Sequence, residues 1–264
     1  MALPVGLQLY SVRDDMEKDP LGTLRKIKEM GYDGIEDCGY ASKDPEGFRS
    51  TCEEIGLCII SAHGGDEVIV DKIEETVELY KKLGTEYLVL AYTGEDNYPT
   101  GENYKKHSEG LASSCDYAAK HGIRVLFHNH EGELTPWGDT TVLEGIIMGT
   151  DGKLWYEPDV CWLRVAGRDP VEFLSEHTGK CPIVHIKDFY APSDFVPDRN
   201  APVRPEGFEF RPAGYGRQDL PAVLDAAEKC GAHWVVVEQD SPSLGKSAME
   251  CAALSCSWLK TERG

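Results

Sequence analysis

The sequence predicts an α/β protein folded as a single (β/α)8 TIM barrel, and three features lead to this class. Short apolar runs alternate with amphipathic segments along the whole chain. Eight such strand–helix units in about 250 residues match the usual size of this barrel. Polar side chains of the metal-binding type follow several of the apolar runs, as they would around one barrel mouth.

The strand candidates are short runs rich in leucine and in β-branched residues. Strands that are buried on both faces carry continuous apolar runs in place of an alternating pattern, as parallel barrel strands do. The runs begin near Val5, Gly34, Leu57, Glu86, Arg124, Leu154, Pro182 and Trp234.

Amphipathic segments separate these strands, and several of them stop at a glycine. Gly31 and Gly231 each follow a last helical turn, where a left-handed residue commonly ends a helix. The helix candidates cover residues 21–30, 45–55, 71–83, 103–121, 141–148, 170–177, 219–230 and 244–260.

A doubly wound open sheet is the competing fold class. An open sheet concentrates its site residues at the point where the strand order reverses. Here candidate site residues end at least five of the eight strands, which favours a closed ring whose strands converge on one mouth. We therefore expect residues 1–264 to form one barrel domain.

One connection, residues 189–216, is much longer than the others. It contains five prolines and three arginines, and its position after the seventh strand puts it at the C-terminal mouth of the barrel. Loops of this length are usually lids, binding loops or disordered segments. A disordered segment needs no apolar anchors, so we expect a substrate lid or a homo-oligomer contact. The anchors are Phe195, Phe208, Phe210 and Tyr215.

The charge of the chain limits its partners. Lys and Arg number 27 and Asp and Glu number 46, which gives a formal net charge of −19. This charge repels phosphate backbones and anionic membranes, so we expect neither nucleic acid nor membrane as a partner. The apolar runs are shorter than the ~20 residues of a membrane helix. The first strand follows the N-terminus without a charged and apolar leader, so we expect no secretion signal. The expected location is cytoplasmic.

The nine cysteines are dispersed and include no Cys-x-x-Cys pair, so the sequence does not indicate a disulfide scaffold. Cys38, Cys58, Cys161 and Cys181 lie in or beside apolar strand segments. Free cysteine in such positions behaves as a small buried hydrophobe. We expect these four to be reduced core residues.

Potential metal ligands end four consecutive strands. Because these strand ends are neighbours in a barrel, three carboxylates would lie close together. They cannot all stay ionised without a cation, and the alternative to a metal is a strongly raised pKa on one or two of them. Oxygen-rich ligation with one imidazole suits Mn²⁺, Mg²⁺ or Co²⁺ better than structural Zn²⁺. The residues are Glu133, Asp159, His185 and Glu238.

Short motifs along nearly the whole chain point to a family. They are residues 6–11 (GLQLYS), 31–36 (GYDGIE), 128–130 (HNH) with Glu133, 159–162 (DVCW), 185–188 (HIKD), 214–216 (GYG) and 237–240 (VEQD). In this order and spacing they resemble the xylose isomerase-like TIM-barrel superfamily of sugar isomerases and epimerases, whose relatives include ketose 3-epimerases and inosose dehydratases. The resemblance implies a metal held by Glu, Asp, His and Glu from strands five to eight. By motif these are Glu133, Asp159, His185 and Glu238.

The superfamily also contains endonucleases that act at abasic sites with three zinc ions. This chain departs from them, because its fourth strand ends in Ala91 and Tyr92 in place of a histidine. Trp162 also stands where that site needs a second imidazole. Together with the negative charge, these departures argue against a nuclease, and we expect one divalent ion per chain.

Further candidates could bind the substrate. Glu36 and His63 end the second and third strands and could bind sugar hydroxyls, or could only satisfy local backbone groups. His128 and His130 could position the substrate or orient Glu133 as outer partners of the ligand.

Two more candidates follow the sixth and seventh strands. Lys187 shares a face with His185 and could stabilise an enolate oxygen or neutralise the acidic cluster. Trp162 could offer a flat face to a sugar ring or be a core residue. No phosphate-binding loop precedes Gly245, because its first glycine is replaced by Asp240, so a small carbohydrate without phosphate is expected.

The ligand set and the resemblance together imply a metal-dependent isomerase or epimerase acting on a keto-sugar. Glu133 and Glu238 would remove and return the proton next to the carbonyl. The alternative is a lyase of the same family, an inosose-type dehydratase or a 3-keto-glycoside eliminase, in which the enolate expels a β-leaving group. A sugar-binding protein without catalysis is a third hypothesis, which the intact ligand types oppose.

Overall fold

A computed structural model describes residues 3–263, and side chains up to residue 261. Met1, Ala2 and Gly264, the ends of the expected domain, lie outside the described residues. The barrel strands are β1 Val5–Gln8, β2 Gly34–Asp37, β3 Cys58–Gly64, β4 Tyr87–Leu90, β5 Arg124–His128, β6 Trp155–Glu157, β7 Ile183–Ile186 and β8 Trp234–Val237. Each strand starts within one residue of the position expected from the sequence.

The eight strands form one parallel sheet in the order β6-β5-β4-β3-β2-β1-β8-β7. The remaining gap, between β6 and β7, is spanned by a parallel bridge between Asp159 and His185. The His185 backbone N–H donates to the Pro158 carbonyl oxygen at 2.9 Å across this gap. The (β/α)8 barrel is therefore confirmed, and two candidate metal ligands lie where the ring closes.

The helices surround the strands. They are α1 Arg13–Lys18, α2 Pro20–Met30, α3 Pro45–Ile55, α4 Asp66–Ile69, α5 Ile73–Leu83, α6 Tyr104–Lys120, α7 Val142–Gly149, α8 Val160–Val165, α9 Pro170–Glu176, α10 Leu220–Cys230 and α11 Ala248–Arg263. The three shortest, α1, α4 and α8, are not predicted from the sequence, because four to six residues are too few to show helical periodicity. Gly31 ends α2 with a φ of 103°, as expected.

The core has two parts. The larger part packs the outer strand faces against the helices. The smaller one consists of Ile60, Tyr87, Val89, Leu126, Ile183 and Val236. Side chains two residues apart share a strand face. The residues two positions after Leu126, Ile183 and Val236 therefore lie on the same face as this smaller core part, nearer the barrel mouth. An apolar plug therefore lies directly beneath the candidate site.

Residues 189–216 are folded against the mouth. The strand Asp188–Tyr190 pairs antiparallel with Glu209–Arg211. The Asp188 carboxylate accepts the Gly214 and Gly216 backbone N–H groups at 3.1 and 2.9 Å. These contacts bring the two ends of the loop together. Its role as a lid or an oligomer contact stays a prediction.

Two sequence expectations on cysteines and membranes can be compared with the fold. The nine cysteines, all in the described part of the chain, are free thiols. Cys161 and Cys181 are buried and Cys38 is half-buried, but the expectation of a core position is wrong for Cys58. Cys58 is the first residue of β3, where the strand is still exposed. No helix within residues 3–263 is long and apolar enough to cross a membrane.

Candidate metal and sugar site

A buried group of four potential metal ligands lies at the mouth. One imidazole nitrogen or carboxylate oxygen from each residue lies within 4.8 Å of those of the other three, and every member is buried. Three of the four are residues that the sequence nominated. The members are His128, Asp159, His185 and Glu238.

Glu133, the fourth residue nominated from the sequence, is not brought into this group. Its carboxylate accepts hydrogen bonds from Tyr98 Oη at 2.8 Å and from the His130 backbone N–H at 2.9 Å. Glu133 lies on the single turn Gly132–Leu134, beyond the end of β5, so it folds back on its own loop. His128 joins the group instead, because it follows Leu126 by two residues on the inner face of β5.

A second potential ligand group overlaps the first. It consists of His63, His128, Glu157 and His185. Glu157 lies 2.8 Å from His63 Nε2 and 3.2 Å from His128 Nδ1 through its Oε2 atom. The sequence assignment overlooked Glu157 in favour of Asp159. Glu157 ends β6 and Asp159 follows it by two positions, so the two side chains lie on the same side of the extended chain.

Glu36 connects the first half of the barrel to the second. Its Oε1 atom lies 2.8 Å from His185 Nε2 and 2.9 Å from His63 Nε2, and it accepts a hydrogen bond from Gln8 Nε2 at 2.7 Å. Ser61 Oγ donates to its other oxygen. Glu36 is fully buried, so these partners occupy the carboxylate that the sequence suggested for sugar hydroxyls.

Asp159 is positioned by the start of α8. Its Oδ1 atom accepts the Cys161 and Trp162 backbone N–H groups at 2.8 and 3.1 Å, as the capping residue of that helix. The Asn129 side-chain oxygen accepts the Asp159 backbone N–H at 3.1 Å. The second carboxylate oxygen, Oδ2, is buried and has no hydrogen-bond partner among the side chains and backbone that the structure describes.

Burial and neighbouring charges set the protonation of these groups. Burial raises the pKa of Asp159 to about 7, although Lys187 favours its ionised form. Burial and the Glu36 charge raise the pKa of Glu157 to about 8. Burial opposes a charge on His63, but Glu36 and Glu157 outweigh it and raise the pKa of His63 to about 10. The crowding of buried carboxylates therefore favours a proton on Asp159 and on Glu157.

Glu238 and His128 differ from these groups. Burial disfavours the Glu238 carboxylate, but Lys187 and His185 hold its pKa well below the usual range. Burial and the nearby His185 lower the pKa of His128, so its imidazole is neutral. A neutral imidazole and an ionised carboxylate are the forms that bind metals.

The group that contains Asp159 fits a divalent cation. It offers two imidazoles and two carboxylates in a buried space, and Asp159 Oδ2 accepts no hydrogen bond from the described residues. Lys187 Nζ lies 3.5 Å from this oxygen and 3.1 Å from Glu238 Oε2. The cluster could therefore hold a divalent metal.

A cavity of about 500 Å³ opens above the cluster. Four of the candidate site residues line it, namely His63, His128, His130 and Glu238. Glu36, Trp162 and Lys187 are not among the described residues that line the cavity. Of the candidate substrate-binding residues, the three histidines can therefore meet a molecule in the cavity directly.

Trp162 is a buried residue beneath the long loop, with 2% of its surface exposed. Its ring stacks on Phe208 with ring centroids 6.2 Å apart, and Lys187 Nζ lies 4.9 Å from its centroid. The suggested role as a flat face for a sugar ring is not supported, because the loop covers the ring. Lys187 is also buried and contacts Asp240 Oδ1 at 2.8 Å.

Comparison with known proteins agrees with this fold. A family model described as xylose isomerase-like TIM barrel matches residues 24–262. The chain belongs to this family. Its relatives thus include enzymes.

Individual relatives are distant but similar over their full length. An inosose dehydratase of Geobacillus thermodenitrificans (strain NG80-2) is 25% identical over 90% of this chain and 89% of its own. A sugar phosphate isomerase/epimerase from Parabacteroides distasonis superposes with a TM-score of 0.77 at 22% identity, over 97% of both chains. A 3-keto-D-glucoside 4-epimerase from E. coli superposes with a TM-score of 0.70 at 18% identity, over 98% of this chain and 99% of its own.

Proposed function

We propose that this chain is a divalent-metal-dependent isomerase or epimerase, which removes a proton from the carbon next to the carbonyl of a keto-sugar. The observation that carries this proposal is the position of Glu238. It belongs to the potential ligand group and also lines the cavity, so one carboxylate can serve both the ion and the substrate.

We assign the metal to His128, Asp159, His185 and Glu238. A bound ion would supply positive charge that stabilises the oxygen of an enolate. Because the set contains two imidazoles, Mn²⁺ or Co²⁺ suits it better than Mg²⁺, which prefers oxygen ligands and water. Mn²⁺ is our first expectation.

Two cavity-lining residues are suited to proton transfer. His185 and Lys187 contact the Glu238 carboxylate and favour its basic, ionised form. His63 is held by the Glu36 and Glu157 carboxylates, which favour the protonated imidazole. Glu238 would remove the proton and His63 would return one to the other face. In this pair His63 takes the place of Glu133, because the Glu133 carboxylate accepts hydrogen bonds from Tyr98 and from the His130 backbone N–H.

The remaining candidates would act on the substrate or through these residues. His130 lines the cavity and can bind a sugar hydroxyl. Glu36 holds His63 and His185 in place, and Lys187 holds Glu238. Neither of these two would need to touch the sugar.

A lyase is the second candidate, and the 25% identity to an inosose dehydratase over 90% of the chain favours it. The first step is the same removal of a proton by Glu238. The His63 proton would then go to a leaving hydroxyl or alkoxide on the β-carbon, whose bond to carbon breaks as the new double bond forms. The two candidates therefore share residues and differ in the fate of the enolate.

One experiment separates the candidates. The protein is incubated with Mn²⁺ and a panel of ketoses, inososes and 3-keto-glycosides in D₂O, and the products are followed by NMR. Deuterium at one carbon with unchanged composition identifies an isomerase or epimerase. Loss of water or of the aglycone identifies a lyase. Absence of both exchange and elimination across the panel would refute the proposal.

A further inference from the structure

Two buried cysteines meet at the end of the barrel opposite the metal ligands. Cys230 is the last residue of α10, which precedes β8, and Cys181 lies two residues before β7. Both therefore lie where strands begin, whereas the mouth is formed where strands end. Both residues are buried, with 2% and 1% of their surfaces exposed. The proposed reaction uses neither thiol.

The two thiols share one backbone acceptor. Cys181 Sγ and Cys230 Sγ each lie 3.7 Å from the His177 carbonyl oxygen. The Gly179 backbone N–H donates to the Cys230 carbonyl oxygen at 2.8 Å, which fixes the turn before β7 against the end of α10. Because both sulfur atoms contact the same oxygen, the two side chains lie beside each other. The pair is therefore positioned for a reaction between two sulfur atoms.

The surroundings of the pair favour a thiolate on Cys230. A hydrogen bond from the Cys181 thiol lowers the pKa of Cys230 below its ordinary value, and it outweighs the opposing effect of burial. The Gly179 and Cys181 backbone N–H groups lower this pKa further. The contact with Cys230 and burial raise the pKa of Cys181, so its thiol keeps its proton. Cys230 is thus the nucleophile of the pair, because the thiolate is the reactive form of cysteine.

A surface cavity reaches Cys230 between α9 and α10. Its volume is about 310 Å³, and Ser175, Thr178 and Lys229 also line it. Cys181 is not among the described residues that line this cavity. A small reagent that enters from solvent therefore meets Cys230 before it meets Cys181. The order of access agrees with the order of reactivity.

We propose that Cys230 and Cys181 are a modification site, at which a hydroperoxide converts the two thiols into a reversible disulfide. The Cys230 sulfur attacks one peroxide oxygen, the O–O bond breaks, and the departing oxygen takes a proton and leaves as water or an alcohol. The Cys181 thiol then attacks the sulfenic acid on Cys230, the S–O bond breaks, and water leaves. In total the two thiols lose two electrons and two protons, and the peroxide gains them.

The disulfide acts on the stability of the fold. It closes a loop of residues 181–230, which includes the whole 189–216 connection. A cross-link mainly restricts the unfolded chain, and the restriction grows with the length of the closed loop. The oxidised chain is therefore more stable than the reduced chain, and its stability depends on the supply of peroxide and of thiol reductant.

Peptide mapping tests the site directly. Trypsin releases Cys181 in residues 181–187 and Cys230 in residues 230–246, and neither peptide contains another cysteine. The reduced full chain is treated with a small excess of hydrogen peroxide, its remaining thiols are blocked, and the digest is analysed by mass spectrometry. We expect one species that joins the two peptides and that dithiothreitol separates. Recovery of both peptides only as blocked thiols, or only as separate oxidised acids, would overturn the proposal.

Variants assign the two roles. Peroxide treatment of Cys181→Ser, followed by unfolding in dimedone, should trap a sulfenic acid on Cys230, because no second thiol remains to form the disulfide. In Cys230→Ser, Cys181 should stay a free thiol. A trapped sulfenic acid on Cys181 in place of Cys230 would refute the assignment of the nucleophile. Cys58→Ser is the matched control, because Cys58 is an exposed thiol, and it should leave disulfide formation unchanged.

Urea unfolding measures the effect on stability. The midpoint of the oxidised parent should be about 1 M higher than that of the reduced parent, as expected for a cross-link that closes a loop of this length. Dithiothreitol should abolish this shift, and peroxide-treated Cys230→Ser should not show it. Equal midpoints of the two parent forms, with the joined peptides present, would refute the stabilising role. The same shift in Cys230→Ser would assign it to oxidation elsewhere and would also refute that role.

Discussion

Separate replacement of His128 and Glu133 tests which residue completes the metal site. His128→Gln removes a member of the buried ligand group. Glu133→Gln changes a residue whose oxygens contact Tyr98 and the His130 backbone instead. Both variants introduce glutamine, so they differ only in position. The sequence motif predicts the larger loss of metal for Glu133→Gln, and the structure predicts it for His128→Gln.

The magnitudes follow from the contacts. Replacing outer partners of metal ligands usually lowers affinity by about 10–100-fold, so loss of a direct ligand such as His128 should exceed ~100-fold, or about 3 kcal/mol. Glu133→Gln keeps one carbonyl acceptor and loses a charged one. We expect less than about tenfold loss of metal affinity, with a decrease of about 1–3 kcal/mol in the free energy of unfolding.

The assay is calorimetric titration of the metal-free full chain with Mn²⁺, with urea unfolding of each variant in parallel. The unfolding data are the control. They identify a variant whose weak metal binding results only from loss of the folded state. Equal affinity of His128→Gln and the parent, with a large loss in Glu133→Gln, would refute the geometric assignment and restore the ligand set expected from the motif.

Four further predictions can be measured. Elemental analysis after loading should give one divalent ion per chain, and three tightly bound zinc ions would contradict the site. Glu238→Gln should slow deuterium exchange by about 10²–10⁴-fold, a larger decrease than its loss of bound metal explains. Asp159→Asn should lose activity in proportion to the metal that it loses, and should regain part of this activity in excess Mn²⁺. A shortened 189–216 loop should impair turnover and substrate affinity but leave metal content unchanged, and parent-like turnover would make the loop a spectator. Burial opposes a charge on His177, but Glu144, 3.1 Å away, raises its pKa above the ordinary value, so Glu144→Gln should lower the free energy of unfolding by about 1 kcal/mol at pH 6. That loss should fade as the pH rises through the raised His177 pKa, and a loss that is the same at pH 6 and pH 9 in urea unfolding would contradict it.

The site shows where inference from the motif departs from the geometry. Asp159, His185 and Glu238 are nominated from the strand ends, and the structure brings them together. His128 is predicted from the sequence to position the substrate or to orient Glu133, and not to be a metal ligand. The two-residue period that starts at the buried Leu126 is the feature of the sequence that could have selected His128 over Glu133. The same period through Trp155 could have selected Glu157.

Sequence alone determined the alternation of strands and helices in the barrel, because hydrophobic periodicity and the glycines that end helices are local properties of the chain. It also determined which strand ends carry ligand-type residues. The tertiary structure decided which of these residues meet, because barrel closure sets distances between side chains far apart in sequence. Glu36 and His185 are 149 residues apart in the sequence, and Glu36 Oε1 lies 2.8 Å from His185 Nε2. Local sequence pattern carries no information about that distance, so the joining of the two halves of the mouth is visible only in the folded barrel.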